Sequence, residues 1–298
     1  SIKRSLGASV SSGPERVGGK DKLKVFVSTV PFGEIDPTPI EQMKGEARCE
    51  YLINPIGRKL REEELADFLE TEKVDVLIAG TEPVSAAVMD RAKSLKLISR
   101  VGIGLDSVDL HAARERDIKV SYTPDAPAPA VAELTMGHMI NLNRYIPLVD
   151  RKLREGIWQR LMGHRLGNQV IGLFGVGRVG TRVLKHLQGF SPRRILVNDV
   201  LDKGDLLELY GAEKASKEEI LAECDIVSLH LPLTSLTRDF ISKPELELMK
   251  KEACLINTSR GGIVHEDDLY EALKEGVIRG AAIDVFEEEP YAGNLLTL

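Results

Sequence analysis

The sequence predicts an α/β protein made of two doubly wound parallel-sheet domains. Three observations carry that reading. The chain has 298 residues, about twice the roughly 150 that one domain takes on average. Short β-branched runs alternate with helical stretches, the pattern of parallel βαβ units. A proline-rich passage at 124–129 interrupts the alternation once, and clustered prolines break regular structure.

Residues 1–20 are rich in Ser, Gly and charge without an apolar period, so a flexible arm is expected there. In the first domain, 21–123, the runs at 24–28, 74–79, 95–101 and 118–122 are expected strands. After the prolines an apolar helix is expected over about 130–143. A second helical stretch, about 146–158, carries mixed charges and the single tryptophan, Trp158. It reads as an excursion over 146–167 that packs on another surface, a second subunit being one candidate. The alternation then restarts, with expected strands at 169–174, 195–198, 225–231, 253–257 and 278–284, completing a second domain over 124–298. Two helices there begin with Ser followed three residues later by Glu, at Ser216/Glu219 and Ser242/Glu245. That pairing satisfies the orphan amides of a helix start reciprocally. His265 stands where a further helix cap is expected.

With 43% hydrophobic and 29% charged residues, the chain has material for real cores, which excludes disordered and collagen-like classes. No apolar stretch approaches the roughly 20 residues of a membrane span, and the N-terminus lacks the apolar segment of a secretory signal. A cytoplasmic protein without membrane partners is expected. The net charge of -6 gives no general attraction to nucleic acid, and none is expected as a partner. Cys49, Cys224 and Cys254 lie far apart, without a CxxC pair or a histidine at metal-ligand spacing. They are expected to be reduced, buried thiols, and no metal site is expected.

The most specific local signal is the run from Gln169 to Gly180. It reads as a buried strand, then Gly175-x-Gly177-x-x-Gly180, then a helix over about 178–190. Gly175 permits the tight turn, Gly177 lets the backbone approach a pyrophosphate, and Gly180 lets the helix pack close to the strand. Free amides at the helix start, from Arg178 and Val179 onward, then face the phosphates. Asp199, 24 residues after Gly175, ends the next strand. A carboxylate there accepts hydrogen bonds from ribose hydroxyls and repels a 2'-phosphate, which favours NAD over NADP, with flavin or S-adenosylmethionine as the other ligands a similar loop can take. The second domain is therefore of Rossmann type.

Four further stretches sit where such folds place ligands: Val101 to Asp109, His230 to Thr234, Asn257 to Gly262 and Asp284 to Pro290. Together with the Gly175 loop, with Val131-Ala-Glu133 and with Gly156-Ile-Trp158, they resemble the D-isomer-specific 2-hydroxyacid dehydrogenase family in order and approximate spacing. The resemblance covers nearly everything from Lys22 onward. It implies a cleft between the domains and hydride transfer between NAD(H) and a 2-oxo acid/D-2-hydroxy acid pair. Arg260 then binds the substrate carboxylate and polarises the 2-oxo group, a task that suits a bidentate guanidinium. Glu289, 29 residues after Arg260, hydrogen-bonds a catalytic histidine, though Glu287 and Glu288 are easily confused with it. Asp284 orients the nicotinamide carboxamide, and Gly102, Ile103 and Gly104 offer backbone amides to the substrate carboxylate. His230, Pro232 and Thr258 lie beside the cofactor, with His230 read as a structural residue at a strand end. The excursion at 146–167 implies a homodimer.

The resemblance breaks at the proton donor. The family carries a histidine roughly 20 residues beyond the acid, whereas all six histidines here precede Glu289. Residues 294–298 read as the approach to a further strand, so a longer native polypeptide is expected, one that supplies that histidine. Tyr122, a bulkier side chain, stands where many relatives carry Asn, which bears on substrate size. The stretch 97–104 is most similar to phosphoglycerate dehydrogenases, then to glyoxylate and hydroxypyruvate reductases. Arg100 and the cluster Arg58, Lys59 and Arg61 are candidates to meet a phosphate, with a solvated basic face as the blander reading. The non-enzyme alternative is an NAD(H)-sensing, corepressor-like relative.

Overall fold

The computed structural model describes residues 22–298; the arm expected over 1–20 lies outside them. The chain divides into two compact units between Tyr122 and Thr123.

The first unit holds strands β1 (Leu23–Val27), β2 (Cys49–Ile53), β3 (Val76–Ala79), β4 (Leu97–Arg100) and β5 (Lys119–Tyr122). Between them run helices α1 (Thr38–Gly45), α2 (Glu62–Glu72), α3 (Ala86–Arg91) and α4 (Leu110–Glu115). All strand pairs are parallel, in the order β2-β1-β3-β4-β5. The chain leaves β1 for one edge and returns on its other side at β3, so the winding reverses between β1 and β3. Phe26, Leu65, Leu69, Leu77 and Ile98 pack in one fully buried cluster, each contributing about 1.5–3 kcal/mol of burial. Helix starts are capped as their residues suggest: Asp109 Oδ1 accepts from the Ala112 amide at 2.9 Å, satisfying an orphan donor.

The strand β2 is missing from the sequence-based expectation. It is an edge strand with no fully buried residue, so Glu50 breaks what a core strand would show as an apolar run. The same edge position leaves Cys49 half-buried, which corrects the expectation that all three thiols are buried.

The second unit opens with α5 (Ala128–Arg144) and α6 (Ile146–Arg154). Its sheet is formed by β6 (Val170–Phe174), β7 (Arg194–Asn198), β8 (Glu213–Lys214), β9 (Ile226–Leu229), β10 (Cys254–Asn257) and β11 (Gly280–Ile283). Helices α7 (Arg178–Leu187), α8 (Gly204–Leu209), α9 (Lys217–Glu223), α10 (Lys243–Leu248) and α11 (Glu266–Lys274) connect them. The parallel order is β11-β10-β9-β6-β7-β8, with the reversal between β6 and β9. Side chains alternate between two buried layers: Val170, Phe174, Val227 and Leu255 on one face, Ile171, Leu173, Ile226 and Ile256 on the other. Burial on both faces is what a doubly wound sheet requires.

Both Ser/Glu capping boxes form, and His265 caps α11 through Nδ1, 3.4 Å from the Asp268 amide. Three helix boundaries differ from the expectation. Helix α5 starts at Ala128 with Pro129 in its first turn, where a missing N–H costs nothing. Helix α6 stops at Arg154 rather than near Trp158, because Gly156 adopts φ +79°. The amides of Gly156 and Ile157 then bond back to Leu153 and Lys152, the usual glycine-terminated helix end. Helix α7 ends at Leu187 and a single 3₁₀ turn covers Gln188–Phe190.

Candidate active site

In the second unit, the residues singled out from the sequence fall at the carboxyl ends of neighbouring strands. Along the rim of the sheet the order is Asp284 after β11, Thr258 and Arg260 after β10, His230 after β9, the Gly175 loop after β6 and Asp199 after β7. Open α/β sheets bind ligands along this rim, at the reversal point.

The three loop glycines have distinct tasks. Gly175 adopts φ +88°, and a Cβ there would lie 2.6 Å from the His230 carbonyl oxygen. A Cβ on Gly180 would lie 2.1 Å from the Gly175 carbonyl oxygen, so only glycine lets α7 start this close to β6. Gly177 faces open space, with nothing within 4 Å of a Cβ position. Half-buried Val179 packs its side chain against the core, and the first amides of α7 have no partner within the helix. Arg178 is exposed and its Nε donates to Asp125 at 3.0 Å. Asp199 braces the loop: Oδ2 accepts from the Val176 amide and Oδ1 from the Leu201 amide, both at 2.8 Å. Each oxygen keeps a lone pair for a further donor.

His230 lies against this loop. Its Nε2 is 3.1 Å from the Ser228 hydroxyl, while Nδ1 is buried without a partner. Burial pushes its pKa down to about 4, so the ring is neutral near pH 7. Pro232 is exposed, its carbonyl accepting from Thr237 Oγ1 at 2.6 Å. Thr258 directs its buried hydroxyl to Thr135 Oγ1 at 2.9 Å, tying the end of β10 to α5.

Asn257 shapes the arginine loop. Its Nδ2 donates to the Arg260 carbonyl at 2.9 Å, and its Oδ1 accepts from the Ser259 amide and hydroxyl. A Cβ on Gly261 would lie 2.0 Å from the Phe286 carbonyl oxygen, so the Arg260 loop rests directly on the backbone of the acidic loop. There the three glutamates separate. Glu287 pairs with Arg238 at 2.5 Å, Glu289 Oε1 accepts from the Phe286 amide at 3.1 Å, and Glu288 is exposed. The Asp284 amide donates to the Asn257 carbonyl at 3.0 Å.

In the first unit, Gly102 adopts φ +136° after β4, and a Cβ there would lie 2.5 Å from Arg100 Nη1. Arg100 is 9% exposed and donates to the Val101 carbonyl. It is thus a buried support of the Gly102–Gly104 loop, not part of a solvated basic face. Arg58 and Arg61 are exposed and share Glu64. Sequence reasoning passed over Glu82, which is 1% exposed on the loop after β3. A glutamate among polar loop residues carries no sequence signal of burial. Among the described residues, no cluster of His, Cys, Asp or Glu is arranged to hold a metal.

Residues 136–298 match the NAD-binding domain model of the D-isomer-specific 2-hydroxyacid dehydrogenases. The chain belongs to this family. D-3-Phosphoglycerate dehydrogenase of Methanocaldococcus jannaschii is 42% identical over 82% of the chain and 47% of its own length. Glyoxylate reductase of Thermofilum pendens is 39% identical over 78% of the chain and 70% of its own length. The chain therefore spans about half of the phosphoglycerate dehydrogenase it matches. A crystal structure of a Thermus thermophilus protein superposes with a TM-score of 0.80 at 34% identity, covering 92% of this chain and 86% of that one. D-Lactate dehydrogenase from Escherichia coli gives 0.76 at 28% identity, covering 90% and 84%. The family's cofactor is NAD, and the open Gly177, the close-packed Gly180 and the unpartnered His230 Nδ1 fit a dinucleotide at the β6/β9 reversal.

Proposed function

We propose that the chain is the core of an NAD-dependent dehydrogenase acting on a small 2-oxo acid/D-2-hydroxy acid pair, of the glyoxylate, hydroxypyruvate or phosphohydroxypyruvate type. The observation that carries this is the Arg260 loop seated through Gly261 on the Glu289 loop, beside a dinucleotide-type glycine turn on the same rim. Gly175, Gly177, Gly180, the first amides of α7 and Asp199 hold the cofactor, with Asp284 at its nicotinamide end. When bound, NAD(H) supplies or accepts the hydride. Arg260 binds the substrate carboxylate and the 2-oxo oxygen, stabilising negative charge that grows there as the carbonyl is reduced. Gly102, Ile103 and Gly104 supply backbone amides to the carboxylate. Glu289 holds the proton-donating histidine, which the family places after this acid, in its charged form.

A cytoplasmic homodimer is part of the same proposal. Support comes from free cysteines, usual in a reducing compartment, and from the α6 region, where Leu153, Ile157, Trp158 and Met162 are exposed. No helix among the described residues is long and apolar enough to cross a membrane. The relatives named above are dehydrogenases and a reductase, and no observation favours the NAD(H)-sensing alternative.

The test is NADH oxidation by the full-length native polypeptide with glyoxylate, hydroxypyruvate and phosphohydroxypyruvate. Turnover of at least one is expected, with Arg260→Gln lowering kcat/KM by about 100-fold or more, the scale of losing one transition-state donor. Absence of turnover with all three, while NADH still binds, contradicts the proposal.

A further inference from the structure

The first unit has its own reversal point, between β1 and β3, and a buried charge stands there. Ser28 follows β1 and Gly80 follows β3. The Ser28 hydroxyl and the Gly80 amide both donate to Glu82 Oε1, the amide at 2.9 Å. The same hydroxyl lies 3.1 Å from the Ile78 carbonyl oxygen, whereas the Gly80 amide can only donate, the partner a carboxylate oxygen accepts. The second oxygen, Oε2, and Thr29 Oγ1 lie 2.8 Å and 2.7 Å from where a Gly80 Cβ would be, so the carboxylate presses against bare backbone. Glu82 is 1% exposed, and among the described residues no lysine, arginine or histidine is paired with it. Asn54, at the end of β2, closes the far side by donating to the Ser28 carbonyl at 2.8 Å. A buried carboxylate without a cation is costly, and it stands at the point where a doubly wound sheet receives ligands.

One strand along the same rim the polarity is opposite. The Val101 amide donates to the Ala79 carbonyl at 2.9 Å, which sets the Gly102 loop beside Gly80, and the Arg100 guanidinium lies against Gly102. The rim thus runs from a loop backed by a guanidinium to a buried carboxylate two residues beyond Gly80.

We propose that Glu82 is a specificity-determining residue of the dehydrogenase: its charge excludes 2-oxo acids whose far end is anionic and admits those whose far end is hydrogen or hydroxyl. This rests on the reading that Gly102–Gly104 meet the substrate carboxylate. The far end of a three-carbon substrate then points along the rim toward Glu82. The substrate class is accordingly glyoxylate and hydroxypyruvate, with phosphohydroxypyruvate disfavoured. Glu82 acts through its field and not by contact, as its burial dictates.

The experiment compares kcat/KM for glyoxylate, hydroxypyruvate and phosphohydroxypyruvate in the full-length wild type, Glu82→Gln and Glu82→Asp. Glu82→Gln is expected to raise the phosphohydroxypyruvate/glyoxylate ratio at least about tenfold, the scale of removing one unit charge near a phosphate across protein. Glu82→Asp keeps the charge and loses reach, and is expected to keep the wild-type ratio whatever it does to stability. Thermal shifts of the NADH-loaded protein give a second readout: D-glycerate is expected to stabilise all three proteins, and 3-phospho-D-glycerate chiefly Glu82→Gln. A purely structural Glu82 would lower activity on all substrates alike, and ratios within about twofold across the three proteins would overturn the assignment. A wild type that favours phosphohydroxypyruvate overturns it too, leaving the dehydrogenase reading intact. A wild type inactive on all three, with no thermal shift, removes that reading and this one together.

Discussion

The two sheets reverse their winding at equivalent places and put opposite electrostatics there. At the β6/β9 point of the second unit stand three glycines, the start of a ten-residue helix, whose first amides have no partner within the helix, and a neutral histidine, a surface suited to an anion. At the β1/β3 point of the first unit stands a buried carboxylate. The topology supplies a crevice in both cases, and the residues that end the strands decide what enters it. Fold class alone would have assigned the two crevices the same ligand.

The largest effect that tests this contrast should come from Gly180. Gly180→Val places a Cβ 2.1 Å from a backbone carbonyl oxygen, so α7 must move. We expect NADH affinity to fall by about 100-fold, with a stability loss of about 1–3 kcal/mol visible as a lower Tm. Gly177→Ala meets nothing, and should leave Tm within about 1 °C while weakening NADH binding by about tenfold, or about 1.4 kcal/mol. Wild-type affinity in Gly177→Ala would mean that the pyrophosphate does not approach the loop there. A smaller change is expected for Asp199→Ala. By removing the charge that opposes a 2'-phosphate, it should narrow the preference for NADH over NADPH by roughly tenfold in a fluorescence titration. An unchanged preference would show that the two amide bonds to Val176 and Leu201 are the whole role of this carboxylate.

The neutral histidine gives a pH signature. Burial lowers the His230 pKa to about 4 from an ordinary 6.5, so between these values the unfolded chain binds a proton that the folded chain refuses. Stability should therefore fall as pH drops from about 6.5 to about 4 and level off below. His230→Asn lacks that contribution, and its Tm should depend less steeply on pH in this window; equal slopes would show that the ring is accessible to protons. The smallest effect concerns the thiols. Burial pushes Cys224 up to about 12 and Cys254 up to about 11, so only half-buried Cys49 should react with a thiol reagent at pH 8 in the folded protein. Modification of two or three thiols without unfolding would contradict the packing at α9 and β10.

Much of this was legible in the sequence where one residue type has one use. The Gly175 loop, both Ser/Glu caps and the His265 cap follow from local chemistry that tertiary structure has no reason to override. Edge strands were less legible: β2 and the two-residue β8 bury little, so their apolar patterns are interrupted by charge. The roles of Asn257 and Gly261 in holding the Arg260 loop depend on a neighbouring strand far away in sequence. Glu82 was invisible for a different reason, since a glutamate is almost always solvated and only the folded rim shows that this one is not.

Whether the glycine turn is a dinucleotide site is tested most directly by a side-by-side fluorescence titration of the purified chain with NADH and NADPH. The prediction is saturable NADH binding at one site per chain, at least about tenfold tighter than NADPH. Absence of NADH binding, or equal affinity for the two, would contradict it.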